Sequence, residues 1–186
     1  MMRILIADDE SIIRLGLKGM LQEMGHMVLA AGNGREALQM ARHHQPDMAI
    51  LDIKMPYTDG LQAAKILSQT IPMPILLLTA FSETDLIEQA TDLPIHGYLV
   101  KPIQPADLAA AMAVARKRFN ESLALLENNE KLKETLAMRK LVDRAKGKLM
   151  ETGLSEAEAY RSIQQLARDS RQDMATAAQK ILANDQ

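Results

Sequence analysis

Cysteine and tryptophan are absent from the sequence, and all aromatic residues together make up 3% of it. Without thiols there is no disulfide framework and no thiolate metal site. With so few large rings, the 13 methionines are expected to fill gaps in the core. No apolar run approaches the roughly 20 residues that a helix needs to span a bilayer. The opening does not read as a signal peptide either, because Ile4–Ala7 is short and runs straight into Asp8-Asp9-Glu10. A cytoplasmic protein without a membrane partner is expected. Glycine and proline are both missing from Ala106 to Lys146, a stretch of 41 residues that a compact domain would normally punctuate.

What is present suits a folded chain. Hydrophobic residues make up 47% and charged residues 25%, enough to bury a core and to exclude global disorder. The length of 186 residues fits one domain of roughly 120 residues with a smaller helical appendage. Charge is uneven along the chain. Residues 1–113 carry 8 Lys/Arg against 13 Asp/Glu, whereas residues 136–186 carry 9 against 7. An acidic head and a locally basic tail imply different partners for the two parts.

Five short apolar runs punctuate the head: Arg3–Ala7, Met27–Ala31, Met48–Leu51, Pro74–Leu78 and Gly97–Val100. Between them, Ile12-Leu15-Gly19-Met20, Ala37-Met40-Ala41 and Leu86-Ala90 repeat at helical spacing. Runs that are apolar throughout, such as Ile75-Leu76-Leu77-Leu78, belong to strands covered on both faces. The pattern predicts an α/β fold with a doubly wound, five-stranded parallel sheet, whose ligands sit beyond the carboxyl ends of the strands.

That edge is where the chemistry collects. Asp8 and Asp9 end the first strand, Asp52 the third, Thr79 the fourth and Lys101 the fifth. Three carboxylates gathered at one sheet edge repel unless a cation compensates. Mg²⁺ suits them, since it takes one or two carboxylates together with phosphate oxygens and water. With the Lys101 ammonium and the Thr79 hydroxyl, the set matches the charge on a transferring phosphoryl group. A carboxylate that attacks phosphorus becomes an aspartyl phosphate.

Residues 2–118 resemble the receiver domain of bacterial two-component response regulators. The resemblance rests on Asp8-Asp9-Glu10, Asp52-Ile53-Lys54-Met55-Pro56-Tyr57-Thr58-Asp59-Gly60, Thr79-Ala80 and Tyr98-Leu99-Val100-Lys101-Pro102. It implies a flavodoxin-like fold with Asp52 as phosphoacceptor and a sensor histidine kinase as partner. It further implies Mg²⁺ on Asp9, Asp52 and the main-chain carbonyl of Lys54, with Asp8 orienting a metal-bound water. Lys101 would contact the phosphoryl group, its peptide to Pro102 would be cis, and Thr79 with Tyr98 would form the switch pair. The expected boundaries are a receiver over 1–118, a helical linker over 119–138 and a three-helix domain over 139–186.

In the linker, Leu125, Leu132 and Leu136 form a sparse apolar stripe with Asn129 on it. A short, imperfect coiled coil and a homodimer on phosphorylation are expected. A monomeric helix lying on its own domain is the alternative. Gly147 and Gly153 are expected to break the helical pattern. Ser155-Glu156-Ala157-Glu158 reads as a capping box, and Ser170-Arg171-Gln172-Asp173 as a second.

The basic tail can be read as binding RNA, DNA or another copy of itself, or as a solvated charged face. Arg144 and Lys148 lie four apart, able to follow a phosphate backbone. Residues 141–182 resemble the ANTAR domain, on Val142-Asp143-Arg144-Ala145-Lys146-Gly147, Leu149-Met150, Gly153-Leu154-Ser155, Glu158-Ala159-Tyr160 and Ala178. The resemblance implies binding to stem-loops of nascent RNA and transcription antitermination. Arg144, Lys146, Gly147 and Lys148 are the candidate RNA contacts. Tyr160 is expected to pack between helices, with stacking on an unpaired base as the alternative. A response regulator acting on promoter DNA is the competing function. No second catalytic constellation points to an enzyme.

Overall fold

A computed structural model describes residues 1–80 and 93–183. The periodic stretch Leu86-Ala90 lies outside the described residues. The chain divides into two compact units, Met1–Ser122 and Leu123–Gln186.

The first unit is built on β1 (Arg3–Ala7), β2 (Met27–Ala31), β3 (Met48–Asp52), β4 (Ile75–Thr79) and β5 (Gly97–Val100). All pairings are parallel and the strand order is β2-β1-β3-β4-β5. Side chains alternate between sheet faces, so β1 sends Leu5 and Ala7 to one core cluster and Ile4 and Ile6 to the other. Helices α2 (Gly34–His44) and α3 (Gly60–Thr70) cover the first face with small residues, Ala37, Ala41, Ala63 and Ala64. Helix α1 (Ser11–Glu23) and the start of α4 (Pro105–Glu151) cover the second with Leu17, Leu21, Leu108 and Met112. Every residue of β3 and β4 is buried, which accounts for their unbroken apolar runs. Each fully buried Leu or Ile contributes about 2 kcal/mol. The strand order changes direction between β1 and β3, and such a switch point opens a crevice at the carboxyl edge.

His96, just before β5, is buried. Its main-chain N–H donates to the Ile75 carbonyl at 2.9 Å, and its Nδ1 accepts from the Ile75 N–H at 3.1 Å. The Phe119 ring meets it edge-on, with centroids 5.3 Å apart. Burial, helped by the charge of Arg118, holds its pKa below the ordinary 6.5. A depressed histidine contributes nothing above both pKa values. As pH falls through about 6.5 the unfolded chain binds a proton that the folded chain refuses, and stability is lost. Urea unfolding at pH 7.5 and 5.5 is expected to show this loss, and a His96→Asn variant to show a smaller one. Equal losses in both proteins would remove His96 as the cause.

The second unit holds the rest of α4 with α5 (Glu156–Asp169) and α6 (Met174–Ala183). Their core is small: Val142 and Ala145 from α4, Ile163 and Ala167 from α5, Ala177 and Ala178 from α6. The expected break at Gly147 does not occur, because α4 continues to Glu151. A glycine inside a helix costs roughly 0.5–1 kcal/mol against alanine, which the packing of Val142 and Ala145 outweighs. The helix stops at Gly153, whose φ of 97° suits a residue without Cβ and whose N–H donates to the Met150 carbonyl.

The capping box at Ser155 is formed, with Glu158 reaching back to the Ser155 N–H at 2.9 Å. The second is not. Ser170 instead ends α5, its hydroxyl donating to the Leu166 carbonyl, and Asp173 starts α6 by accepting from Thr176 N–H at 2.7 Å. Asp173 is thereby held below the usual carboxylate range, chiefly by the Thr176 main-chain hydrogen bond.

Candidate phosphorylation site and basic tail

The carboxyl ends of β1 and β3 deliver Asp8, Asp9 and Asp52 to one place. Each offers a carboxylate oxygen, and these atoms lie within 4.8 Å of one another. Asp8 and Asp52 are buried and Asp9 is exposed. Lys101, immediately after β5, sets its ammonium 2.8 Å from Asp52 Oδ1, 2.8 Å from Asp8 Oδ2 and 3.7 Å from Glu10. Burial alone pulls the Lys101 pKa down, but hydrogen bonds and charge from Asp52 and Asp8 outweigh it and leave it above its ordinary value. Lys101 therefore stays cationic at neutral pH.

One ammonium does not balance three carboxylates, and the buried Asp8 Oδ2 has Lys101 Nζ at 2.8 Å as its partner. All-oxygen donors with surplus negative charge fit a hard divalent cation such as Mg²⁺. Lys54 sits on the exposed loop beyond Asp52, where a cleft of about 510 Å³ is bounded by Asp9, Lys54, Pro56 and Asp59.

Several fixings hold the main chain around the acidic cluster. Arg14, one turn into α1, donates to the carbonyls of Asp8 at 2.6 Å and Asp9 at 3.3 Å. Asp59 caps α3 by accepting from Gln62 N–H at 2.7 Å. A Cβ on Gly60 would lie 2.0 Å from the Asp52 carbonyl oxygen, and one on Gly34 would lie 2.3 Å from that of Thr58. Both helices thus begin against the main chain around the acidic cluster, and only glycine permits it. The glycines were visible in the sequence, but the close approach depends on contacts between distant segments.

Thr79 is the last residue of β4 and is buried, its hydroxyl donating to the Ala80 carbonyl at 3.0 Å. Tyr98 pairs in register with Leu77. Thr79 and Tyr98 therefore share one face on neighbouring strands. Burial raises the Tyr98 pKa. The Lys101–Pro102 peptide is cis.

In the tail the candidate RNA contacts separate. Arg144 is exposed, and Gly147 is exposed with open space where a Cβ would stand. Lys146 is half-buried and bound by Glu156 at 2.8 Å and Asp143 at 3.1 Å, which raise its pKa in that order. Lys148 donates to the Leu182 carbonyl at 3.3 Å. The three basic residues do not form one open face, because a neighbouring acid, a distant acid and a carbonyl engage two of them. Tyr160 lies at the rim of the helix core rather than between helices, with 46% of its surface exposed.

Comparison with known proteins follows the same division. The profile of the response regulator receiver domain matches residues 4–113, and that of the ANTAR domain matches residues 130–182. The transcriptional regulatory protein PdtaR of Mycobacterium tuberculosis is 44% identical over 183 residues, covering 97% of this chain and 89% of that protein. LnrK, a transcriptional regulatory protein of Bacillus subtilis, is 34% identical over 115 residues, 60% of this chain. Among solved structures, the Vibrio cholerae chemotaxis protein CheY4 superposes with a TM-score of 0.58 at 32% identity, over 61% of this chain and 97% of that one.

Proposed function

We propose that this chain, which belongs to the response regulators that join a receiver domain to an ANTAR domain, is switched by phosphorylation of Asp52 and binds stem-loop RNA as a transcription antiterminator. It is a regulator and not an enzyme. The observation that carries the reading is the buried Asp52 carboxylate, 2.8 Å from Lys101 and grouped with Asp8 and Asp9.

Asp52 attacks the phosphorus of a phosphohistidine on a sensor kinase. A phosphorus–oxygen bond forms, the phosphorus–nitrogen bond breaks, and the departing imidazole keeps the electron pair. Lys101 stays charged and so holds its hydrogen bonds to the acceptor and to the incoming phosphoryl oxygens. Asp9, Asp52 and the Lys54 carbonyl would hold Mg²⁺, with Asp8 orienting its water; the ion supplies positive charge against the phosphoryl oxygens. Thr79 and Tyr98 then act as the switch pair that passes on the change.

We assign residues 1–118 to the receiver, 119–138 to the linker and 139–186 to the RNA-binding domain, in a cytoplasmic protein. Leu125, Leu132 and Leu136 are exposed on α4, with Asn129 on the same stripe. A seam this sparse is marginal alone, so a bias of a few kcal/mol from the receiver suffices to shift it toward a homodimer. Arg144 is the strongest candidate for a phosphate contact, since it is exposed while Lys146 and Lys148 are engaged.

Binding to RNA hairpins and to duplex DNA, each with and without beryllofluoride and Mg²⁺, tests the reading. Hairpin binding is expected to tighten at least tenfold on activation, with sedimentation of the same samples showing a doubled mass. A preference for duplex DNA would replace it with promoter regulation. Indifference to both nucleic acids would leave a protein-interaction relay.

A further inference from the structure

We infer that the cavity in the second unit beside Tyr160 is a pocket for one unpaired RNA base, guanine by its chemistry; this rests on the RNA-binding reading above. The cavity is an open cleft of about 500 Å³, a volume within the range of small-molecule sites. Met138, Val142 and Met174 line it, and thioether side chains adapt to a flat ring. Tyr160 also lines it and is one of the exposed large hydrophobic residues of the unit. Aromatic faces stack on bases irrespective of sequence.

Polar groups at the cavity provide selection. Asp143 lines it with an exposed side chain whose Oδ1 lies 3.1 Å from Lys146, itself 2.8 Å from Glu156. That ion pair leaves Asp143 Oδ2 to accept from a ligand. A carboxylate accepts and does not donate, so it prefers a base edge with adjacent donors, which guanine offers at N1 and N2. Arg139 also lines the cavity and can meet the phosphate next to the bound nucleotide. Lys146 spends its charge on two acids, so the pocket discriminates by base rather than by attraction to the backbone. Bases paired in an A-form stem are not accessible to such a cavity, and splayed loop bases are.

The test uses the full chain with beryllofluoride and a labelled pool of RNA hairpins with a fixed paired stem and a randomised loop. Selection is expected to enrich guanine at one loop position, and removing that base alone (an abasic nucleotide) to weaken binding to the wild-type protein about tenfold or more. Tyr160→Leu is expected to lose the same factor with an unchanged salt dependence, while Tyr160→Phe keeps most of the affinity. Asp143→Asn is expected to lose the preference for guanine at that position. Circular dichroism checks that the helices persist, and the abasic arm needs no variant at all. If the wild type selects hairpins but no loop position depends on Tyr160, the pocket assignment is overturned and the RNA reading stands. If the wild type binds no hairpin, both are overturned.

Discussion

Asp52→Asn is expected to abolish labelling by acetyl phosphate and activation by beryllofluoride while leaving the fold intact. The amide is nearly isosteric with the carboxylate but is a far poorer nucleophile, so the chemistry fails without a packing defect. The electrostatics favour survival of the fold as well. Lys101 keeps its 2.8 Å partner Asp8 when Asp52 is neutralised, and the cluster of Asp8, Asp9 and Asp52 loses one of its mutually repelling charges. Without Mg²⁺ the variant is expected to melt at the wild-type temperature or slightly above. With Mg²⁺ the wild type is expected to gain stability by mass action and the variant to gain much less. Phosphate incorporation at the wild-type rate would show that the acceptor is another residue.

Gly60→Ala is expected to destabilise the receiver by about 3 kcal/mol, at the upper end of what an inserted methyl group usually costs. The added Cβ would stand 2.0 Å from the Asp52 carbonyl oxygen, 2.8 Å from its carbon and 3.1 Å from Ile53 Cα. All three are main-chain atoms, so no rotamer change relieves the overlap. Either α3 moves out or the end of β3 moves with Asp52 on it, and phosphorylation slows in the protein that remains folded. Gly16→Ala provides the control, because nothing lies within 4 Å of its added Cβ. That helix-interior change is expected to be neutral or to stabilise by roughly 0.5–1 kcal/mol. Urea midpoints measure both, and a Gly60→Ala midpoint equal to wild type would mean that the close approach is not required.

Features that local pattern controls were legible in the chain. β3 and β4 are buried at every position, so their sequences carry no polar residue until Asp52 and Thr79 at their ends. That abrupt change from apolar to reactive residues is what placed the acidic cluster. The tail's basic residues are less legible for a different reason. Glu156 neutralises Lys146 from ten positions away, and the Leu182 carbonyl engages Lys148 from 34 positions away. Charge counted along the chain cannot register partners brought together by folding. Local rules also compete. Ser170 can cap the helix before it or the one after it, and Asp173, with two oxygens for Thr176, wins the second position. Gly147 shows a propensity overruled by packing.

The three tyrosines occupy places with different duties: Tyr57 on the loop beyond Asp52 with Arg35 over its ring, Tyr98 against the sheet, and Tyr160 in the tail. Because tryptophan is absent, no stronger indole emission masks them. The protein therefore carries its own optical reporters. Replacing two tyrosines by phenylalanine leaves a single emitter, so that loop, sheet and tail can each be followed in time after a phosphodonor is mixed in. The order in which the three signals change gives the direction in which the switch propagates, without any attached dye.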